Sequence, residues 1–192
     1  MAKIMTLLNA GPALRVLEEA RGLLGDVTPL KTNCGRLCEG ACCQSDETGE
    51  NGMLLFPFED RLYKKPIDGF SFRLLPDDTL FKGGMRLVCQ GSCPREHRPL
   101  QCRLFPLRIR VESDSSGFDT RAVAEIDPRA WALCPLPEMG GLRAMSAAFI
   151  GAVEQAGNAL LKNVYMLEAL SNEQRLVDEL RAFPAPADPK AP

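Results

Sequence analysis

Residues 32–52 read TNCGRLCEGACCQSDETGENG, and residues 88–106 read VCQGSCPREHRPLQCRLFP. These two stretches hold Cys34, Cys38, Cys42 and Cys43, then Cys89, Cys93 and Cys102; Cys134 stands apart. A thiolate is a soft, charged ligand that suits zinc and the iron of iron–sulfur clusters, and close spacing lets one loop offer several sulfurs to one centre. A centre drawing on both stretches would close a long loop and make metal binding part of folding. The pattern therefore predicts an α+β protein with a small, irregular, cysteine-rich metal-binding core and antiparallel strands. Helices flank that core, one at the N-terminal end and long ones at the C-terminal end.

The competing explanation is a disulfide framework, because eight is an even number and allows about 105 connectivities. The opening residues, MAKIMTLLNAGPALRVLEEARGLLG, have no clustered basic region and no uninterrupted apolar run, and Glu18 and Glu19 interrupt their periodic part. This start reads as that of a cytoplasmic protein, where disulfides are disfavoured. The adjacent sulfurs of Cys42 and Cys43 project in different directions, which suits two separate bonds better than one strained ring. Buried free cysteines acting as small apolar residues explain one of the eight more readily than two clusters.

At 192 residues and 45% hydrophobic content, the chain can bury one sizeable core. Residues 1–183 are expected to form a single domain: 1–30 the N-terminal helix, 31–140 the cysteine-cluster core and 141–183 the C-terminal helices. The tail 184–192, rich in Pro and Ala, is expected to be disordered. A net charge of −2 and a pI near 5.6 argue against a bulk nucleic-acid or anionic-membrane binder. The longest uncharged run, near residues 144–153, is about half of the ~20 residues a membrane span needs. Charge is uneven, however: from Lys82 to Arg110 seven basic residues face Glu96 alone. That segment either offsets thiolate charge, serves as an anion site, or is a solvated face.

Along the chain, Ala13, Leu14, Val16, Leu17, Ala20, Leu23 and Leu24 mark an amphipathic helix with Pro12 in its first turn and its end near Gly25. Gly35 and Gly40 break the helical spacing of Cys34, Cys38 and Cys42 into short turns within a loop. Met53–Phe58 is an apolar run with a boundary at Pro57, and a short helix is expected over Glu59–Lys65. Phe70–Leu75 and Thr79–Lys82 read as a strand pair around Pro76-Asp77-Asp78, with Met85–Cys89 following. Residues 107–111 and 120–126 read as a half-buried hairpin with its basic residues on one face. Met145, Phe149, Val153, Ala156, Leu160, Val164 and Leu167 mark one long packing helix, and Ser171 with Gln174 a capping box opening another.

The phrase Arg98–Pro106, preceded by Cys89 and Cys93 and by an upstream cluster ending in Cys42-Cys43, resembles the zinc- or iron-chelating cysteine-cluster family, of CxxCxxCC type, that includes the YkgJ-like proteins. The resemblance covers roughly residues 32–141, including LLFPFEDRL and the late cysteine in WALCPLPEMGG. The first cluster here is wider, C-x3-C-x3-CC, than the family's tighter form. The resemblance implies that Cys34, Cys38, Cys42, Cys43, Cys89, Cys93 and Cys102 are metal ligands, with Cys134 an eighth. It also places Arg98 and Arg103 in the motif, as donors to the thiolates from outside the ligand set or as contacts to an anion. The alternative role of Arg98, Pro99 and Arg103 is local, a turn into Cys102 and stems over apolar surface.

The lone histidine, His97, rules out histidine-based zinc, iron or copper sites within this chain, and an exposed loop position is expected for it. No phosphate-binding glycine loop and no nucleophile elbow are present. The carboxylate pairs Glu18-Glu19, Glu59-Asp60 and Asp77-Asp78 read as solvated. Two functions follow. One is a metal-binding structural or interaction module holding zinc or iron, with a protein partner of unknown kind. The other is an iron- or iron–sulfur-dependent redox or group-transfer enzyme, since a similar cluster, and only that, occurs in flagellin lysine methylases.

Overall fold

The computed structural model describes residues 2–32, 34–44, 49, 52–89, 93–114 and 119–182. In chain order these form α1 (Ala2–Leu24), β1 (Met53–Leu54), β2 (Phe72–Pro76), β3 (Met85–Cys89), α2 (Leu100–Leu104), β4 (Leu107–Ser113), β5 (Thr120–Ile126), α3 (Ala130–Leu133), α4 (Leu136–Gly140), α5 (Ala147–Leu160) and α6 (Val164–Ala182). The α+β class is as the sequence predicts.

The apolar stripe of α1 buries Ala13, Leu17, Ala20 and Leu24 against Phe149, Val153, Ala156 and Leu160 of α5. Each fully buried leucine contributes roughly 1.5–3 kcal/mol. Gly25, at φ +42°, ends α1 by donating its N–H to the Arg21 carbonyl at 3.0 Å, a left-handed turn that glycine adopts without penalty. The other face of α5 lies on the β4–β5 hairpin, whose register pairs Ile109 with Ala124 and Val111 with Ala122. Contact is closest at Gly157, where a Cβ would run into the side chains of Ala122 and Ile109. Leu100 and Leu104 of α2 enter the same core, so the helix that carries Cys102 is anchored on both sides of it.

A smaller layer, the antiparallel sheet β1-β3-β2, lies apart from this core. Its own apolar cluster joins Leu55, Tyr63, Phe70 and Leu87, with Phe72, Cys89 and Cys93 packed against it. The rings of Phe70 and Phe72 stand 4.9 Å apart, and those of Tyr63 and Phe72 5.5 Å. The first pair is tilted and the second edge-on, and aromatic pairs of this kind add about 0.5–1.5 kcal/mol each.

Several elements differ from expectation for identifiable reasons. α1 runs through Pro12 rather than beginning there. The partner of β2 is β3, not Thr79–Lys82. The latter belong to a loop in which Asp77 Oδ1 accepts the Thr79 N–H at 3.0 Å and Asp78 Oδ1 accepts that of Gly83 at 2.7 Å. The expected single helix after Leu142 is two, because Asn163 accepts the N–H groups of Tyr165 and Met166 and starts α6 there; Ser171 lies inside α6. The hairpin is not half-buried at its start: Leu107, Arg108 and Ile109 are all buried, and Gln174 of α6 accepts from Arg108 at 2.8 Å. Phe183, the tail 184–192 and most of the SDSSG turn lie outside the described residues.

No helix among the described residues is long and apolar enough to cross a membrane.

Candidate metal centre

Four separate segments deliver the cysteines. In the first, two single 3-10 turns, Cys34–Arg36 and Ala41–Cys43, are joined through Glu39 and Gly40, both at positive φ. The left-handed residues break the helical path between the two turns, and Cys38, Cys42 and Cys43 all line one pocket. In the second, β3 ends on Cys89, paired across the sheet with Phe72. In the third, Cys93 leads through Pro94 and Pro99 to α2, with Cys102 in its middle. In the fourth, the chain leaves α3 in an extended conformation at Cys134, whose N–H donates to the Ala130 carbonyl at 2.8 Å.

The third segment is held by a buried polar scaffold. Glu59, fully buried, accepts the Leu100 N–H at 2.8 Å and the Phe56 N–H at 3.0 Å, and Arg21 of α1 pairs with it at 3.3 Å. Arg21 also donates to the Glu96 carbonyl at 2.7 Å, and Tyr63 to that of His97 at 2.9 Å. Arg103 donates to the carbonyls of Arg95 at 2.8 Å, Glu96 at 3.0 Å and Arg98 at 3.2 Å. Arg95 reaches back to the Val27 carbonyl at 2.8 Å. The loop between Cys93 and Cys102 is thereby tied to α1 and to the 3-10 helix Glu59–Tyr63 through its own backbone.

None of the eight cysteines is in a disulfide, and together they line two adjoining pockets. Cys34, Cys38 and Cys134 line only the first, of about 90 Å³; Cys89 and Cys93 line only the second, of about 80 Å³. Cys42, Cys43, Cys102 and Arg98 border both. Organic ligands occupy pockets of roughly 300–1,000 Å³, whereas one water takes about 30 Å³. These spaces suit an ion or a small cluster. As the described side chains stand, no three His, Cys, Asp or Glu groups converge tightly enough to hold a metal ion, so a closed metal core of the expected kind is not formed.

The sulfurs nevertheless act on one another. Cys42 and Cys43 lie 3.9 Å apart, Sγ to Sγ. Their mutual hydrogen bond lowers the Cys43 thiol to about 6 against the effect of burial, aided by the charge of Arg98, and pushes Cys42 up. Burial raises Cys34, Cys102 and Cys134, with neighbouring thiolates adding to it. Burial alone would lower Arg98, but its hydrogen bond to Cys93 and the charges of Cys93, Cys43 and Cys102 more than offset this. Its buried Nε has no acceptor. Eight thiols without a disulfide, with a guanidinium among them, are a donor set that fits zinc or thiolate-bound iron.

The two arginines of the RPLQCRLFP phrase therefore differ. Arg98 stands among the sulfurs, whereas Arg103 clamps carbonyls, and burial together with the charges of Arg21 and Arg95 lowers its pKa. Of the basic segment, Arg86 pairs with Asp77, Arg95 with Asp26, Arg108 with Glu125, and Arg110 with Glu112. Those pairs divide the charge locally instead of forming one basic face. His97 is half-buried, and its carbonyl rather than its ring is what Tyr63 engages.

Glu59 and Asp77, expected in water, are buried. The position of Glu59 directly after the apolar run LLFPF was the available signal. Gln101 and Glu173, joined at 3.2 Å, give no such signal because they meet only through the packing of α6.

No protein-family model matches the chain, and no curated protein or solved structure matches it either.

Proposed function

We propose that this is a metal-binding protein that chelates zinc or iron, the latter as single ions or as an iron–sulfur centre, through its clustered cysteines. The observation that carries this reading is the convergence of four segments, spanning Cys34 to Cys134, on two adjoining pockets of ionic size. Apolar packing accounts for three of the eight: Cys134 lies at the margin of the main core and Cys89 and Cys93 against the smaller apolar cluster, whereas Cys34, Cys38, Cys42, Cys43 and Cys102 belong to neither. Such a centre would join the N-terminal loop to the strand layer and to α2, as expected for a structural or interaction module.

The first test is elemental analysis with an absorption spectrum on protein purified without oxygen. Zinc without visible absorption fits a structural module; iron with sulfide and broad visible absorption fits a redox-active cluster. Protein that contains neither metal, and takes up neither on anaerobic reconstitution, would remove the reading.

A second reading, a redox or group-transfer enzyme of the kind whose cysteine cluster this one resembles, is favoured by one feature. Arg98 and Arg129 both line the pocket of Cys89 and Cys93, which places two guanidinium groups where an anionic substrate would meet the centre. Arg129 is already paired with Asp127, so the first reading is preferred.

A further inference from the structure

We propose that the chain holds a second site, built without cysteine, in which a small aromatic carboxylate binds between the β2–β3 loop, the 3-10 helix Glu59–Tyr63 and α6. Because none of the sulfurs lines this cavity, the proposal does not depend on the metal-binding reading.

The space measures about 520 Å³, against about 90 and 80 Å³ beside the sulfurs. Organic ligands occupy roughly 300–1,000 Å³, so this cavity has room for one and the sulfur-lined pockets do not. It lies on the seam between the two apolar clusters. Leu55 and Met85 on its lining belong with the smaller cluster, Phe56 and Phe58 with the main core.

The walls are held in place by bonds that need no ligand. Asn172 of α6 donates to the Leu80 carbonyl at 2.8 Å and Asp78 accepts the Gly83 N–H at 2.7 Å, so Phe81 and Lys82 are carried between two anchored residues. The same helix supplies Tyr165 to the lining. Phe58 stands at φ +66°, a left-handed conformation that a bulky residue keeps only where its surroundings impose it. Its ring meets that of Tyr165 edge-on at 5.5 Å, and the Arg61 guanidinium lies over it at 5.3 Å. Backbone strain of this sort gathers at ligand clamps.

The lining also selects the ligand. Phe58, Phe81 and Tyr165 are each partly exposed, and three rings around one space favour a flat aromatic body. Arg61, Lys64 and Lys82 border the cavity together with Asp60 and Glu168, three cations against two carboxylates, which leaves one positive charge in excess. Among the described residues no ion pair uses any of these five. A single carboxylate matches that excess. A polyanion would meet repulsion from Asp60 and Glu168 as well.

The test titrates the reduced, isotope-labelled full-length chain with naphthoate and follows its amide resonances by NMR. Shifts are expected in residues 55–61, 81–83 and 165–168, and this reading needs no variant. Naphthamide, the same rings without the charge, and naphthalene dicarboxylate, with two charges, are each expected to bind about tenfold more weakly. Lys64→Glu with Lys82→Glu, both at exposed positions, should weaken naphthoate by about tenfold or more. Lys31→Glu with Arg143→Glu makes the same change of charge at exposed positions outside the cavity and should leave the affinity within about twofold. No shift at millimolar naphthoate would overturn the proposal. So would shifts centred on residues 34–44 and 93–106, which would place the ligand at the sulfurs. Equal losses in the two double variants would reduce the effect to overall charge, and tighter binding of decanoate than of naphthoate would overturn the aromatic assignment.

Discussion

Glu59 accepts the Leu100 N–H at 2.8 Å across 41 residues of sequence, and through that bond a carboxylate beside the small sheet sets where the helix carrying Cys102 begins. Leu100 is the first residue of α2, whose N–H groups have no partner within the helix, and Glu59 serves one of them from outside. Glu59→Ala would leave the Leu100 and Phe56 N–H groups buried and unpaired. At about 1–3 kcal/mol for each such group, a loss of roughly 2–5 kcal/mol is expected in urea denaturation. Amide exchange in residues 95–104 should accelerate more than that of α5. An unchanged denaturation midpoint would show that the bond is dispensable.

The same residue carries a pH signature. Burial raises the Glu59 carboxyl above its ordinary value, against the opposing effects of the Leu100 and Phe56 N–H groups and of Arg21. A raised folded-state value means a stability contribution that is complete below the unfolded carboxyl range, near 4, and is lost as pH climbs through the folded value. Wild type should therefore lose stability relative to Glu59→Gln as pH rises above the unfolded carboxyl range of about 4. A difference between the two that stays flat, or grows in wild type's favour, would contradict the direction.

Arg103 is expected to behave as scaffold. Arg103→Lys replaces a fork that reaches three loop carbonyls with a single ammonium, so it should destabilise by about 1–3 kcal/mol and rescue little relative to Arg103→Ala. Metal stoichiometry should be unchanged in the folded fraction. Loss of a metal ion from a variant with wild-type stability would instead place Arg103 with the thiolates.

Close packing of α5 on the hairpin predicts a coupled pair. Gly157→Ala would press its methyl on Ala122 and Ile109, at a cost of roughly 1–3 kcal/mol. Ala122→Gly in the same chain should recover part of that, and a double-mutant cycle should give a coupling of at least ~0.5 kcal/mol. Additive effects would mean that the helix shifts to accommodate the methyl.

Removing metal should loosen one part of the molecule more than the other. A chelator is expected to lower Tm and to raise amide exchange in residues 34–44 and 93–104, while α1 and α5, packed on each other, stay protected. Uniform loss of protection would mean that the metal holds the main core as well.

Much of this architecture is legible in residue patterns. The stripe Ala13, Leu17, Ala20 and Leu24 and the alternation through β5 carry their own period, and the cysteine spacing marks which loops must converge. What stays hidden depends on single polar side chains. Asn163 divides one apolar periodicity into two helices through hydrogen bonds that leave the spacing of Leu160, Val164 and Leu167 intact. Arg108 alternates as a surface residue would, yet α6 covers it, and α6 comes from 56 residues further along. Glu59 and Arg103 look like surface charge beside a cysteine loop because most of their partners are backbone groups, which every sequence has. At the site, the clustering of sulfurs could be read directly, whereas the grouping of Cys134 with Cys34 and Cys38 required the pocket.

The pairing of α1 with α5 also bears on how the chain matures during synthesis. The helix made first buries its stripe against residues 149–160, and Lys162 closes an ion pair with Glu19 at 3.0 Å across 143 positions. Domains dominated by such distant partners fold slowly, because the intervening chain must be closed before the contact rewards it. On the ribosome, Leu17 and Leu24 therefore wait uncovered until most of the polypeptide has emerged, and throughout that interval the cysteine loop is already outside and able to meet metal before any core exists to position it.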